Sequence, residues 1–262
     1  SQVQTKWLHL DSNEDIYLAR VDWLADGSVV AQVQNREQTV LSLLQYFPDQ
    51  AKPGEVAHGR LLLQEKAKYW TNLHHNLRSF IHPQPDSKGT TESQKLYLLW
   101  TSETDGFMHI YLYEVPPTDA ADTTKGEPAK LVHQLTWGDW IVEDIVGVDP
   151  TNGFVYFTGT AHSPLHRQLF AVALWDAPSS DTPKISQLTS QEGMHTISMS
   201  KDCSQFVDSY TSLKRPPCMN LCTIHLASSK STTSPENQQV TASVAAPLYA
   251  KRVPPRAIPE PD

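Results

Sequence analysis

The segment QLTWGDW at 134–140 returns as QLTSQEG at 187–193, 53 residues later. Each copy is followed by an apolar run, a polar turn and a second apolar run, read as IVEDIVGVDPTNGFVYFTGT and MHTISMSKDCSQFVDSY. Further along, Pro164 and Pro216, and Leu169 and Leu221, keep an offset of 52 residues. The constant order and spacing indicate one structural unit that is used more than once.

Two earlier segments follow the same template. YLARVDWLADGSVVAQVQNREQTVLSLL (17–44) and QKLYLLWTSETDGFMHIYLYEV (94–115) each place an Asp-Gly turn between two strand-like runs. Repeats of about 40–50 residues, each a small antiparallel meander, are typical of propeller blades. A β-sandwich is the alternative, but it requires no common period. The sequence therefore predicts an all-β fold, a partial β-propeller of antiparallel meanders with long loops.

Several stretches interrupt these units. Segment 61–80 lacks strand alternation, which predicts a short helix or an irregular excursion, where function tends to lie. Pro, Ser, Thr and charged residues dominate three other segments, so we expect loops there; they are 82–94, 116–130 and 227–247. We expect blades over 1–226, with the excursion at 61–80, and a low-complexity linker over 227–262.

Charge and cysteine usage limit the partners and the compartment. The formal net charge of -8 argues against a nucleic-acid or anionic-membrane partner. The three cysteines are odd in number and confined to the last quarter, so we expect buried, reduced thiols. The sequence has no N-x-S/T acceptor, no signal peptide and no apolar run of membrane-spanning length. These features favour a cytoplasmic protein.

Complete catalytic motifs are missing. The sequence contains no G-x-S-x-G, no glycine-rich phosphate loop and no H-E-x-x-H. We therefore predict no catalytic residue, no metal and no cofactor in this chain, which on its own should be inactive.

Histidine, aromatic and acidic pairs are the remaining candidates. His74 and His75 are adjacent in the excursion, and on an extended segment their side chains point opposite ways, so joint chelation of a metal is disfavoured. They are read as solvated loop histidines, with a substrate-facing role as the alternative. The aromatic pair Trp137 and Trp140 is read as packing between sheets, with a binding platform as the alternative.

The acidic pair and four further tryptophans complete the candidates. Glu143 and Asp144 are interpreted either as an anchor for a substrate ammonium group or as a solvated strand end, and the sequence favours neither. Four tryptophans recur near strands and are interpreted as filler between blades; they are Trp7, Trp23, Trp70 and Trp100.

With these features in view, the chain resembles a known family. YLARVDWLADG, DGFMHIYLYEV, the 135–174 segment and MHTISMSKDCSQFVDSYTSLKRPPC resemble the propeller of the dipeptidyl peptidase IV family, in order over about 15–226. YWTNLHHNLRSF and TGTAHSPLHRQLF are most similar to the cytosolic branch, dipeptidyl peptidases 8 and 9. The resemblance implies about four blades of an eight-bladed propeller. It also implies a following α/β-hydrolase domain that cleaves Xaa-Pro or Xaa-Ala dipeptides from free N-termini.

The resemblance also implies substrate-binding residues. In the family, the residues four and five positions beyond a tryptophan like Trp70 project toward the substrate pocket, and these are His74 and His75. The cytosolic branch tends to have an acidic residue where this chain has His75. Glu65 lies outside the segment that carries the family's ammonium-binding glutamate pair.

The resemblance sets expectations for the longer protein. The first residue is not Met and the tail is linker-like, so we expect a longer parent that binds peptide substrate and dimerises through its hydrolase domain. A propeller cut to about four blades leaves sheet faces uncovered, so we expect Trp23, Trp100 and Trp140 to meet water. The alternative function is a stand-alone propeller-like module whose loops bind another protein.

Overall fold

The computed structural model describes residues 5–10, 15–50, 56–85, 92–118, 122, 124–175, 184–227 and 239–250. Within these ranges the regular structure is β-strand, apart from one 3-10 turn at Pro48–Gln50, and no α-helix occurs. The strands are β1 (Trp7–His9), β2 (Ile16–Trp23), β3 (Val29–Asn35), β4 (Val40–Tyr46), β5 (Val56–His58), β6 (Arg60–Lys66), β7 (Arg78–Pro85), β8 (Glu92–Ser102), β9 (His109–Val115), β10 (Lys130–Gln134), β11 (Val142–Asp149), β12 (Phe154–Gly159), β13 (Gln168–Ala173), β14 (Ile185–Gln187), β15 (Met194–Met199), β16 (Gln205–Ser212), β17 (Arg215–Ala227) and β18 (Gln239–Ala250).

The strands form four antiparallel sheets of four strands each. Sheet 1 has the order β2-β3-β4-β6, sheet 2 β7-β8-β9-β10, sheet 3 β11-β12-β13-β14 and sheet 4 β15-β16-β17-β18. Sheets 2 to 4 are meanders in which every strand pairs with the next along the chain, as in propeller blades. Strands β1 and β5 form a separate two-stranded parallel pair. The prediction of an all-β partial propeller built from antiparallel meanders is confirmed.

The chain divides into two compact units. Unit 1 comprises Ser1–Thr104 and Tyr111–Gln134, and unit 2 comprises Asp105–Ile110 and Leu135–Asp262. In unit 1, apolar side chains of sheets 1 and 2 share a core that includes Leu41, Leu62, Leu98 and Trp100. In unit 2, sheets 3 and 4 share a second core around Tyr156 and Phe206. Each sheet therefore buries an apolar face against its neighbour within the unit, as blades do.

The Asp-Gly signal forms a tight turn in sheet 1. Gly27 has φ +82°, a left-handed conformation that suits glycine. The Asp26 carboxylate accepts hydrogen bonds from the Ser28 amide at 3.0 Å and from its hydroxyl at 2.5 Å. The side chain thereby replaces backbone partners that the turn removes.

The first QLT copy closes a backbone junction in unit 2. The Leu135 amide donates to the Ile110 carbonyl at 2.8 Å, and the Ile110 amide donates to the Thr136 hydroxyl at 3.0 Å. His109 is buried, and its Nε2–H donates to the Gly138 carbonyl at 2.9 Å while Nδ1 lies 3.1 Å from the Thr136 hydroxyl. The threonine thus satisfies a buried backbone donor.

The second QLT copy repeats this junction. The Leu188 amide donates to the Leu169 carbonyl at 2.8 Å, and the Leu169 amide donates to the Thr189 hydroxyl at 2.9 Å. Gln168 takes the place of the histidine: its amide nitrogen donates to the Gln191 carbonyl at 2.8 Å, and its oxygen accepts from Thr189 at 2.5 Å. The sequence repeat is therefore a repeat of hydrogen bonding.

We expect Thr189→Val to lower the free energy of unfolding by about 1–3 kcal/mol, because it leaves the buried Leu169 amide without its acceptor. Tyr156→Phe is the control in the same unit. Tyr156 is buried and its hydroxyl has no partner among the described residues, so the variant should cost little. Urea unfolding of both variants checks this, and equal midpoints would contradict the role given to the threonine.

Three segments that were expected to lack strands contain them. The loop prediction for 82–94 is wrong at both ends, because strand β7 continues to Pro85 and strand β8 begins at Glu92, and the two pair with each other. The stretch 61–80 is strand β6 at its start and strand β7 at its end, and it is irregular only over 67–77. The linker expected over 227–262 contains β18, which pairs with β17 from Ala227↔Gln239 to Cys218↔Ala250. The linker prediction is wrong for 239–250, because β17 offers a long edge and Val240 is buried in the core of unit 2. Residues 228–238 and 251–262 lie outside the described ranges.

The solvent exposure of the tryptophans differs from the expectation. Trp100 is fully buried, so its expected contact with water is wrong. Trp7 and Trp23 are each 72% exposed and Trp70 is 58% exposed, so these three do not act as filler between the described sheets. Trp140 is half-buried.

Candidate functional site

The irregular segment 67–77 joins β6 to β7 and carries both histidine candidates. Its start is fixed to sheet 1, since the Ala67 amide donates to Thr39 O at 2.8 Å and the Thr71 amide to Gln38 O at 2.9 Å. The buried Gln34 side chain donates to the Thr71 carbonyl at 3.0 Å. The segment is therefore irregular in backbone shape but bound to the sheet.

His74 points inward and packs on Trp100. Their ring centroids are 4.2 Å apart. The Asn76 amide donates to His74 Nδ1 at 3.3 Å, and the Thr101 hydroxyl lies 3.2 Å from the same nitrogen. An Nδ1 that accepts is unprotonated, so the ring is neutral with its proton on Nε2. The pKa of His74 is lowered to about 4, mainly by burial and to a smaller extent by nearby His75 and Arg20, while a backbone hydrogen bond with Thr101 partly opposes the shift.

Trp100 also forms a hydrogen bond with the half-buried carboxylate of Glu65. Its Nε1–H donates to Glu65 Oε1 at 2.8 Å. Burial raises the pKa of Glu65, and hydrogen bonds from Ser102 and Trp100 partly oppose that effect. Glu65 therefore acts as a hydrogen-bond acceptor that holds Trp100, the residue on which His74 packs.

His75 and its neighbours face outward. The His75 side chain is exposed, and its carbonyl accepts from Arg78 Nη1 at 2.9 Å. Asn72 is exposed too and donates to Glu103 Oε2 at 2.8 Å. Three large apolar side chains of this segment are also exposed; they are Tyr69, Trp70 and Leu73. The segment thus presents aromatic, apolar and imidazole groups from a fixed backbone.

The side chains of His74 and His75 point in opposite directions, as expected for adjacent residues on an extended segment. They are therefore not arranged to bind one metal ion together. Within the described ranges no group of three or more His, Cys, Asp or Glu side chains is arranged to hold a metal. No helix in the described part of the chain is long and apolar enough to cross a membrane.

One member of the aromatic pair and one member of the acidic pair have structural roles. Trp140 lies 6.0 Å from Phe157 and 4.9 Å from His109, centroid to centroid, so the packing interpretation is confirmed for this residue. Glu143 forms an ion pair with Arg167 at 2.6 Å, and both side chains are largely covered. The interpretation of Glu143 as a solvated strand end is wrong. Because Arg167 already neutralises its carboxylate, Glu143 is also a poor anchor for the ammonium group of a ligand.

The three cysteines are free thiols. Cys203 and Cys222 are buried and Cys218 is half-buried, and all three are free, which confirms the expected reduced thiols. Burial raises the pKa of Cys203 and of Cys222 to about 11, so neither is a thiolate at neutral pH.

Sequence reasoning missed two polar features. In unit 1 a cavity of about 600 Å³ is lined by Arg60, Asp26 and the ion pair of Lys95 with Glu114, and its lining does not include either histidine candidate. In unit 2 a buried His195–Asp208 pair forms across β15 and β16. His195 and Asp208 lie 13 residues apart, and only strand pairing brings such residues together.

The chain is similar to known proteins over most of its length. Residues 1–217 match the family described as the dipeptidyl peptidase IV (DPP IV) N-terminal region. Human dipeptidyl peptidase 8 is 25% identical over 236 residues, covering 78% of this chain and 25% of its own length. A probable dipeptidyl-aminopeptidase B of Emericella nidulans is 28% identical over 203 residues, covering 76% of this chain and 20% of its own length.

A third relative matches a shorter stretch. A probable dipeptidyl peptidase 4 of Emericella nidulans is 30% identical over 98 residues, covering 37% of this chain. The chain spans about a quarter or less of the length of these relatives. Since the family match covers most of the 262 residues and the four-sheet architecture agrees with it, the chain belongs to the dipeptidyl peptidase IV N-terminal region family.

Proposed function

We propose that this chain is the propeller portion of a cytoplasmic serine-type dipeptidyl peptidase, which removes Xaa-Pro or Xaa-Ala dipeptides from peptide N-termini. The chain itself shapes substrate access and supplies no catalytic triad. The observation that carries the proposal is the family match over residues 1–217, together with relatives that are themselves named dipeptidyl peptidases.

The substrate-facing role is assigned to segment 67–77. His75 is exposed beside Tyr69, Trp70 and Leu73, which offer apolar surface to a peptide. His74 supports the segment from below through Trp100 and also borders the site. The backbone bonds to sheet 1 keep these groups in place, which lowers the entropic cost of binding. We also propose that the full-length parent protein forms a homodimer and that it binds neither nucleic acid nor a membrane.

His75→Ala tests the site in the longest product of the gene that encodes this chain. With Gly-Pro-p-nitroanilide as substrate, we expect kcat/KM to fall about tenfold, the equivalent of about 1.4 kcal/mol of binding. The melting temperature should not change, because the side chain is exposed. His225→Ala, another exposed histidine, is the matched control and should leave kcat/KM unchanged.

An active parent in which His75→Ala and His225→Ala behave alike would remove the substrate role from His75. An inactive parent that captures protein partners through the loops of this chain would favour the interaction module instead. Neither outcome depends on His74→Ala, which would also disturb the packing on Trp100.

A further inference from the structure

The two-stranded pair β1/β5 places two histidines side by side. His9 and His58 are direct partners in the parallel register, so their side chains project from the same face. Their ring centroids are 5.0 Å apart and the ring planes are tilted by 43°. Both side chains are exposed to solvent. This pairing lies outside segment 67–77, and the proposed peptidase function does not use it.

The separation fits one shared metal ion. A zinc–nitrogen bond is about 2.05 Å, and an imidazole nitrogen lies about 1.15 Å from its ring centre, so each centroid would lie about 3.2 Å from the ion. At a tetrahedral angle, two such rings have centroids about 5.2 Å apart. The observed 5.0 Å between the two ring centroids is close to this separation.

The backbone around the pair is held by Tyr46. The buried Tyr46 hydroxyl donates to the His9 carbonyl at 2.9 Å. The next residue after His58 is Gly59, where a Cβ atom would lie only 2.7 Å from the Tyr46 ring. One tyrosine thus contacts the chain beside both histidines. Fixed backbones reduce the entropy that two ligands lose on binding an ion.

We propose that His9 and His58 together bind one divalent transition-metal ion of the borderline class, with Zn²⁺ as the probe. Imidazole is a common ligand for Zn²⁺, and water completes the coordination because both rings are exposed. The ion joins β1 to β5, two strands that are otherwise linked by a short parallel ladder. Its role is to stabilise this pair, since metal that binds only the folded form shifts the folding equilibrium.

Calorimetric titration of Zn²⁺ into the full 262-residue chain at pH 7.5 tests the proposal. We expect binding of one equivalent that His9→Gln and His58→Gln each weaken at least about tenfold, because the second ligand acts at high effective concentration. His225→Gln is the matched control, since that exposed ring lies beside Ser243 at 2.7 Å instead of a second histidine. Circular dichroism verifies that all the variants are folded.

The eleven histidines and three cysteines of the chain offer other weak ligands, so the difference between variants is the readout. Absence of binding by the wild type, equal binding by all four proteins, or weakening in only one of the two paired variants would overturn the proposal. Zinc should also raise the unfolding midpoint of the wild type and of His225→Gln, but not of the paired variants.

Discussion

Asp208→Leu should lower the free energy of unfolding by about 3–5 kcal/mol, because it breaks a buried pair. Asp208 Oδ1 lies 2.7 Å from His195 Nδ1, and His195 is fully buried. The other ring nitrogen, Nε2, lies 2.8 Å from the Gln191 carbonyl. Both ring nitrogens therefore lie within hydrogen-bond distance of an oxygen atom. Without the carboxylate, the Nδ1 proton has no acceptor.

The double variant His195→Phe with Asp208→Leu is the control. Replacing both partners by apolar groups removes the unsatisfied donor, and phenylalanine can stack on Tyr210 as His195 does at 5.0 Å. We expect the double variant to be more stable than Asp208→Leu alone, in urea unfolding of the chain. If the losses of the single variants His195→Phe and Asp208→Leu add up to the loss of the double variant, the two residues are not energetically coupled.

The second large effect is a loss of stability in acid through His74. Its pKa falls from the ordinary 6.5 to about 4 on folding, so the unfolded chain binds more protons between these values. Above pH 6.5, His74 is neutral in both states and does not reduce the free energy of unfolding. As the pH falls from 6.5 toward 4, the unfolded chain takes up the proton first, so the free energy of unfolding decreases. One pKa unit corresponds to about 1.4 kcal/mol, so the loss approaches about 3 kcal/mol. Protonation at Nδ1 also removes the acceptor of the Asn76 amide.

The difference between the wild type and His74→Gln isolates this effect. Glutamine does not titrate, so the variant should lack the part of the pH dependence between pH 6.5 and 4. Glu65 contributes the opposite sign: its raised pKa means that the folded chain binds more protons, and stability falls as the pH rises above its ordinary 4.5. Glu65 is unchanged in both proteins and cancels in the comparison. Parallel stability curves for the two proteins would contradict the burial of a neutral His74.

The repeated QLT segment predicted the repeated sheets because the threonine performs the same backbone task twice. Its partners could not be read from the sequence. His109 and Gln168 are different residue types, and they lie at a different offset from the threonines, so no local pattern relates them. Only the folded structure shows that each side chain bonds to the equivalent turn of its own repeat, His109 to the Gly138 carbonyl and Gln168 to the Gln191 carbonyl.

Composition misled the prediction for the C-terminal segment. Residues 227–247 are rich in Ser and Thr, which are typical of loops, yet QVTASVAAPLYA is β18. Strand formation there depends on the thirteen-residue edge of β17 and on burial of Val240, both of which are tertiary effects. For the site, adjacency predicted that the side chains of His74 and His75 diverge, but packing against Trp100 decided which of them points inward.

The most direct test of the account is dipeptide release by the longest product of the gene that encodes this chain. We expect this product to contain a G-x-S-x-G segment followed by an Asp and a His, and to release p-nitroaniline from Gly-Pro-p-nitroanilide. The 262-residue chain alone should release none, since its sequence has no such segment. A longest product that is folded and carries no hydrolase activity toward this substrate would contradict the proposed function.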